Sequence, residues 1–130
     1  MIINRNTMEL TKAEEQLMKV LWKLKKGLIR NVVDGYGEPK PAYTTVATIM
    51  KILEKKGFVS KKAVGNTYEY HPLISKSDYA KGFINRFVSK YFSNSYKSMI
   101  SSLSEQEDLS TEEMEEIIAH FQDQLKKKQK

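Results

Sequence analysis

The stretch that decides the fold runs from Tyr43 to His71 and reads YTTVATIMKILEKKGFVSKKAVGNTYEYH. Apolar residues at helical spacing in its first part predict a helix over 43–56, and Gly57 ends that helix. The segment 58–63 has the pattern of a strand. The pair Gly65-Asn66, followed by the alternating Thr-Tyr-Glu-Tyr-His, then predicts a tight hairpin turn and a return strand.

Two further helices precede this stretch. A capping box from Thr11 to Glu14, followed by an apolar stripe, predicts a first helix over about 12–26 that stops at Gly27. Apolar residues over 28–33, followed by glycines and prolines, predict a short second helix and a turn. Three helices followed by a hairpin make a winged helix-turn-helix, which we assign to residues 1–74.

The remaining part, 75–130, has the pattern of three more helices. Ser75 and Ser110 are the expected N-caps of the first and last of them, and only the lysine-rich tail from Lys126 onward looks disordered. Helices of this size cannot close a core alone, so we expect a helical dimerisation domain and a two-fold homodimer. The residues expected at the dimer interface are Phe83, Phe87, Tyr91, Phe92, Met99, Ile117, Ile118 and Phe121. The predicted fold class is therefore mostly α with a small β-hairpin wing.

Composition excludes several classes of site. The chain has 130 residues and no cysteine, which rules out disulfides, thiolate metal sites and a cysteine nucleophile. We expect neither a metal nor a cofactor. No apolar run is long enough to span a bilayer, and the first residues lack the apolar core of a signal peptide. We therefore expect a cytoplasmic protein.

The excess of basic over acidic side chains lies in the N-terminal part. Residues 1–74 carry 13 basic and 7 acidic side chains, whereas residues 75–130 carry 9 of each. Such a bias indicates a polyanionic partner, either nucleic acid or an anionic membrane surface, although solubility alone could also explain a modest excess.

The outer face of the third helix favours DNA as that partner. Its short hydroxyl side chains could approach base edges in the major groove, and its lysines could neutralise phosphates. The same threonines suit a helix start, and we expect one of Thr44 and Thr45 to serve as the N-cap. The candidate DNA contacts on this helix and on the hairpin are Thr44, Thr45, Thr48, Lys51, Lys55, Lys61 and Lys62.

Catalytic interpretations are weak. His71 and His120 have no neighbouring pattern of a catalytic triad, and the glutamates of 112–116 suit the first turn of a helix, where the macrodipole favours acidic residues. The glycines at 35 and 37 precede prolines rather than a phosphate-binding helix start. We expect no enzymatic activity.

Several segments together resemble the penicillinase-repressor family, the BlaI, MecI and CopY group of winged-helix regulators. The segments that carry the likeness are 10–14, 17–22, 43–49, 55–58 and 68–73. The resemblance implies a dimeric repressor on a palindromic operator, typically with TACA/TGTA half-sites. It places DNA contacts on Thr44, Thr45, Thr48 and Lys51, with the wing contacting DNA near Lys61, Lys62 and Asn66.

The resemblance also implies a mode of release. In the antibiotic-responsive branch, a membrane sensor with a protease domain triggers cleavage in the C-terminal helices, and the matching bond here is Ser102–Leu103. Copper sensing through thiolates is excluded because the chain has no cysteine. Two other functions stay open: a winged-helix regulator that responds to a small apolar ligand, and an adaptor whose winged helix binds another protein.

Overall fold

The structure is a computed structural model that describes residues 9–129. Within this range the chain is mostly helical with one antiparallel hairpin, which confirms the predicted fold class. The elements in chain order are α1 (Lys12–Leu24), α2 (Ile29–Gly35), α3 (Tyr43–Lys55), β1 (Val59–Val64), β2 (Thr67–Pro72), α4 (Lys76–Phe92), α5 (Tyr96–Ser104) and α6 (Thr111–Lys128).

Helix α1 begins as its sequence predicts and ends differently. The Glu14 backbone N–H donates to Thr11 Oγ1 and the Thr11 N–H donates to Glu14 Oε1, which completes the capping box. The C-cap, however, is Lys25, with a φ of 74°, so Gly27 does not end the helix. Gly27 instead pairs with Tyr70 through two backbone hydrogen bonds of 2.9 and 2.8 Å. Gly27 thus connects the segment before α2 to strand β2 of the wing.

The hairpin forms with its turn at Gly65 and Asn66, as the sequence predicts. Ser60 faces His71 and Val64 faces Thr67 across the pair, and Gly65 takes a φ of +60° at the turn. Glycine suits this position because it has no Cβ to clash at positive φ.

A single apolar core holds the helices and the wing of the N-terminal unit together. Its fully buried members come from α1, α2, α3 and the start of the wing: Leu17, Met18, Leu21, Val32, Val46, Met50, Leu53 and Phe58. Trp22 packs against this core and donates its indole N–H to the Ile74 carbonyl at 2.9 Å. Trp22 is therefore a packing residue of the N-terminal unit.

Two compact units divide at Arg86 and Phe87, inside α4. Tyr79, in the first turns of α4, belongs to the N-terminal core, where its ring centre lies 5.9 Å from that of Phe58. The functional boundary at 74/75 stays a prediction.

The C-terminal unit has little buried side-chain surface of its own. Val88 is buried, and Phe87 contacts the rings of Tyr91 and Phe92 at 5.2 and 5.7 Å. In contrast, no residue of α5 or α6 is buried. The apolar side chains of these two helices therefore lack full cover within one chain.

The expected disorder from Lys126 onward is wrong for the residues up to Lys128, because α6 continues to that residue. Lysines in the last turn are favourable next to the negative end of the helix dipole. Lys127 is also tied to Asp123, four residues earlier, at 3.3 Å.

Candidate nucleic-acid interface

Helix α3 has one buried and one polar face. Val46, Met50 and Leu53 lie in the core, and the first turn contains no acidic residue. The predicted contact residues of this helix share the opposite, exposed face: Thr44, Thr45, Thr48, Lys51 and Lys55. The fold therefore brings them together on one surface, as the helical spacing predicts.

Neither threonine at the start of α3 is its N-cap. The N-cap is Ala42, which makes no side-chain hydrogen bond to the helix, so the capping role expected for Thr44 or Thr45 is wrong. The helix starts two residues earlier than a cap at Thr44 requires, and three earlier than a cap at Thr45. Since both threonines are exposed, their hydroxyl groups are accessible to a partner.

Thr48 offers a different set of contacts. Its hydroxyl donates to the Thr44 carbonyl at 2.9 Å, so the proton is used within the helix. The lone pairs of the oxygen and the methyl group stay on the exposed face. Thr48 can thus accept a hydrogen bond from a base amino group or touch a thymine methyl group.

Ile52 shares this face and is 41% exposed. Ile52 is not among the contact residues that the sequence predicts. An exposed apolar side chain next to threonines suits contact with a thymine methyl group. Helical periodicity could have indicated it, because Ile52 follows Thr48 by four residues.

The basic residues near α3 differ in their surroundings. Lys51 and Lys55 are exposed, whereas Lys56 binds Oε1 of Glu14 at 2.7 Å. Lys61 on β1 lies 3.5 Å from Oε1 of Glu54 and 4.5 Å from the ring centre of Tyr68. The charge of Lys61 is thus partly neutralised within the fold.

The far end of the wing is open. Lys62, Asn66 and Thr67 are exposed, and an added Cβ at Gly65 would meet nothing within 4 Å. Lys62 faces Glu69 in the strand register, but Glu69 forms an ion pair with Lys26 at 3.8 Å. Lys62 is therefore better placed than Lys61 to meet a phosphate.

Glu14, in the first turn of α1, is a buried acid with 5% exposure. Burial by itself raises the pKa of a carboxyl group, because it disfavours the charged form. Here the hydrogen bonds from Lys56 and from the Thr11 N–H, together with the charge of Lys56, outweigh burial and lower the pKa of Glu14 below its ordinary value. Glu14 is thus held as a carboxylate.

The histidines and glutamates that could serve in catalysis or metal binding have structural surroundings of their own. His71 is half-buried on β2, and His120 is exposed on α6, with its ring centre 6.3 Å from that of Phe121. Glu113 completes the capping box of α6 with Ser110, which confirms the structural role expected at this helix start. Within residues 9–129, no group of three or more acidic or histidine side chains could hold a metal ion.

The residues expected at a dimer interface have partly or largely exposed side chains. Phe83, Phe87, Tyr91, Ile117, Ile118 and Phe121 are exposed, and Phe92 and Met99 are half-buried. Three of them line one apolar cleft of about 430 Å³, bordered by Ile100, Ile117, Ile118, Phe121, Gln122 and Leu125.

The bond considered for cleavage, Ser102–Leu103, lies inside α5, and both of its residues are exposed. No helix of the described chain is long and apolar enough to cross a membrane.

A family model described as "Penicillinase repressor" matches residues 10–123, which include most of both units. The chain belongs to the penicillinase repressor family. The resemblance seen in the sequence is therefore confirmed. Membership of this repressor family supports a role in transcription regulation through DNA binding.

Named relatives agree with this assignment. Methicillin resistance regulatory protein MecI of Staphylococcus aureus (strain N315) is 28% identical over 116 residues, 88% of this chain and 94% of the relative. The penicillinase repressor of Bacillus licheniformis is 27% identical over 110 residues, 84% of this chain and 86% of the relative. The penicillinase repressor of Staphylococcus aureus is 26% identical over 111 residues, 84% and 87% of the two chains.

Proposed function

We propose that this member of the penicillinase repressor family is a cytoplasmic, homodimeric transcriptional repressor that inserts α3 into the major groove of a palindromic operator. The observation that carries the proposal is the exposed face of α3, which presents Thr44, Thr45, Thr48 and Lys51 without an acidic residue in the first turn. Such a face offers short donors, acceptors and methyl groups to base edges and positive charge to phosphates.

Each part of the surface has its own role in this proposal. Thr45 and Thr48, with Ile52 beside them, read base edges. Lys51 and Lys55 neutralise phosphates next to the groove, and the exposed Lys62 and Asn66 bring the wing to the flanking backbone. Lys61 makes a smaller contribution, because Glu54 already neutralises part of its charge.

A second copy of the chain is the proposed cover for the apolar C-terminal side chains. Helices α5 and α6 bury no residue, and the cleft of about 430 Å³ on them is lined almost wholly by apolar side chains. An exposed apolar patch of this kind is typical of a protein interface. Two-fold pairing would place two recognition helices on half-sites about 10 base pairs apart.

Release by proteolysis fits the position of the Ser102–Leu103 bond. Both residues are exposed, so a protease needs to unwind only the short helix α5 to reach the bond. Cleavage there would divide the dimerisation domain, and each monomer would lose the avidity of two linked DNA contacts. A membrane sensor-protease pathway is the proposed source of the signal.

The cleavage proposal is tested by following the protein in cells whose target promoter is switched on. Immunoblotting should show the chain shortened at Ser102–Leu103 during induction. A Leu103→Pro variant, which a protease would cut poorly, is unsuitable as a control because proline breaks the helix. An active promoter with the wild-type chain still intact would contradict release by proteolysis.

The apolar cleft on α5 and α6 also favours one rival, release by a small apolar ligand. A thermal shift with candidate hydrophobic ligands separates the two, because a ligand that binds the folded chain raises its melting temperature. If the protein were instead an adaptor for another protein, it would lack salt-dependent DNA affinity.

The DNA proposal is tested by fluorescence anisotropy with a labelled TACA/TGTA palindrome and a scrambled duplex, each at low and moderate salt. We expect a preference for the palindrome of about 10³-fold or more that persists at moderate salt. Equal binding to both duplexes that disappears with salt would indicate phosphate attraction alone.

Two variants test whether α3 is responsible for the preference for the palindrome over the scrambled duplex. Thr45→Val removes a hydroxyl while keeping the shape of the side chain, so it should reduce the preference for the palindrome. Thr111→Val, at the exposed start of α6, is the matched control and should leave it unchanged. An equal effect of both variants would contradict base reading by α3.

A further inference from the structure

A polar cleft lies beside the exposed face of α3 and the wing. It has a volume of about 230 Å³ and is lined by Leu28, Ile29, Arg30, Tyr43 and Thr67. A water molecule takes about 30 Å³ in the liquid, so the cleft has room for a phosphodiester group with some of its water.

Three elements meet at this cleft. Arg30 is in the first turn of α2, Tyr43 is the first residue of α3, and Thr67 is the first residue of β2. Tyr43 is 55% exposed, and Arg30 and Thr67 are exposed too. The cleft therefore joins the start of the recognition helix to the wing, with a hydrogen-bond donor from each side.

The charge of Arg30 is available for an anion. Asp34, four residues on along α2, is bound to Lys40 at 3.1 Å, and Arg30 forms no salt bridge with any residue between 9 and 129. The lining of the cleft contains no acidic residue. An anion would therefore meet a positive field without competition from a carboxylate.

The site depends on side chains rather than on the start of α2. The backbone N–H of Leu28 already donates to Asn31 Oδ1 at 2.8 Å, so it is not available to an anion. The side-chain donors that line the cleft are the guanidinium of Arg30 and the hydroxyls of Tyr43 and Thr67. A guanidinium matches the paired oxygens of a phosphate, and hydroxyl groups are common phosphate donors in DNA complexes.

We propose that this cleft holds one phosphate of the DNA backbone in each half-site, with Arg30 as its main ligand and Tyr43 and Thr67 as supporting donors. The inference rests on the proposed DNA-binding function and adds to it a binding site for a phosphate of the DNA backbone. The first helix of a helix-turn-helix crosses the backbone beside the groove that the second helix enters. A phosphate held between α2, α3 and the wing would set the register of α3 on the bases.

The first test compares Arg30→Gln with Lys23→Gln, an exposed lysine of α1 outside the cleft. The probe is the tightest duplex that the wild-type chain selects from a random library. Arg30→Gln should weaken binding about tenfold at low salt. It should also make the slope of log affinity against log salt concentration (the salt slope) shallower by about 0.9, since one phosphate contact is lost. The ratio of the affinity for the selected duplex to the affinity for a scrambled duplex should not change, because a phosphate contact carries no information about the base sequence.

The second test locates the phosphate. Single methylphosphonates, which remove one charge each, are placed along the selected duplex. A methylphosphonate at one position in each half-site should weaken binding by the wild-type chain but have little effect on binding by Arg30→Gln. Tyr43→Phe and Thr67→Val, which each delete one hydroxyl, should show a smaller loss at that same position.

The outcomes separate this inference from the proposed function. If the wild-type chain selects a duplex but Arg30→Gln keeps its affinity and its salt slope, the cleft does not hold a phosphate and the repressor proposal stands. The same conclusion follows if no methylphosphonate position couples to Arg30. A wild-type chain that selects no duplex would overturn both. Unchanged thermal unfolding of Arg30→Gln shows that the variant is folded.

Discussion

Lys56 Nζ lies 2.7 Å from Oε1 of Glu14, and the same oxygen accepts the Thr11 N–H at 2.9 Å. One nearly buried carboxylate thus joins the first turn of α1 to Lys56, the residue that follows α3. Because the two residues are 42 positions apart, the contact exists only in the folded chain. It restrains the end of α3, whose exposed face carries the proposed base contacts.

Loss of Lys56 should destabilise the protein more than loss of its neighbour. Lys56→Met leaves the buried carboxylate of Glu14 without its cation, which should lower the free energy of unfolding by about 2 kcal/mol. Lys55→Met, at an exposed position, should change it by less than about 0.5 kcal/mol. Urea denaturation of both variants measures the difference. Coincident unfolding curves for the two variants would contradict a stabilising ion pair.

The ion pair should make stability depend on pH. The pKa of Glu14 is lower in the folded chain than its ordinary value of 4.5, so its contribution is fully present above that pH. It should be lost as the pH falls through the lowered pKa and the folded carboxylate takes up its proton.

Glu14→Gln isolates this effect, because glutamine still serves in a capping box while carrying no charge. The stability difference between wild type and Glu14→Gln, measured in urea at a series of pH values, should be largest near neutral pH and shrink in acid. A difference that grows below pH 4.5 would have the wrong sign for this mechanism.

The two wing lysines should differ in their contribution to DNA binding. Lys62→Gln should reduce the salt slope of binding by about 0.9, the value for one phosphate contact. Lys61→Gln should reduce it by less, because Lys61 lies 3.5 Å from Glu54. Anisotropy titrations over a range of salt concentrations compare the variants. A larger loss for Lys61→Gln would show that the pair with Glu54 breaks on the DNA.

A charge in the apolar cleft of the C-terminal unit should prevent dimerisation. Phe121 is 56% exposed in the single chain, so Phe121→Asp removes little packing there but places a charge where a partner would bury it. Sedimentation equilibrium should show a monomer, with weaker operator binding. Glu116→Gln, on the opposite side of α6, is the control and should stay dimeric. A dimeric Phe121→Asp would place the interface elsewhere.

Local patterns in the sequence account for most of the secondary structure. The capping boxes at Thr11 and Ser110 join residues only three positions apart, and both form. Gly65 supplies the positive φ that the predicted hairpin turn needs. These features involve neighbouring residues, so periodicity and residue type are sufficient to predict them.

Side-chain roles at the ends of elements depended on longer-range contacts. Gly27 had the right residue type for a helix stop, yet it pairs with Tyr70, and Lys25 takes the positive φ at the end of α1. Thr44 and Thr45 suited an N-cap, yet α3 begins after Ala42. In each case several residues were locally acceptable, and packing of the helices against the wing selected one of them.

The sequence by itself determined the order of the elements, the winged-helix class and the polar face of α3, since each follows from local spacing. Only the tertiary structure decided that Lys56 binds Glu14, that Lys61 is partly neutralised by Glu54, and that Arg30, Tyr43 and Thr67 share one cleft. The physical reason is distance along the chain. Charges and hydroxyls that are far apart in sequence acquire partners only when the buried core brings their elements together.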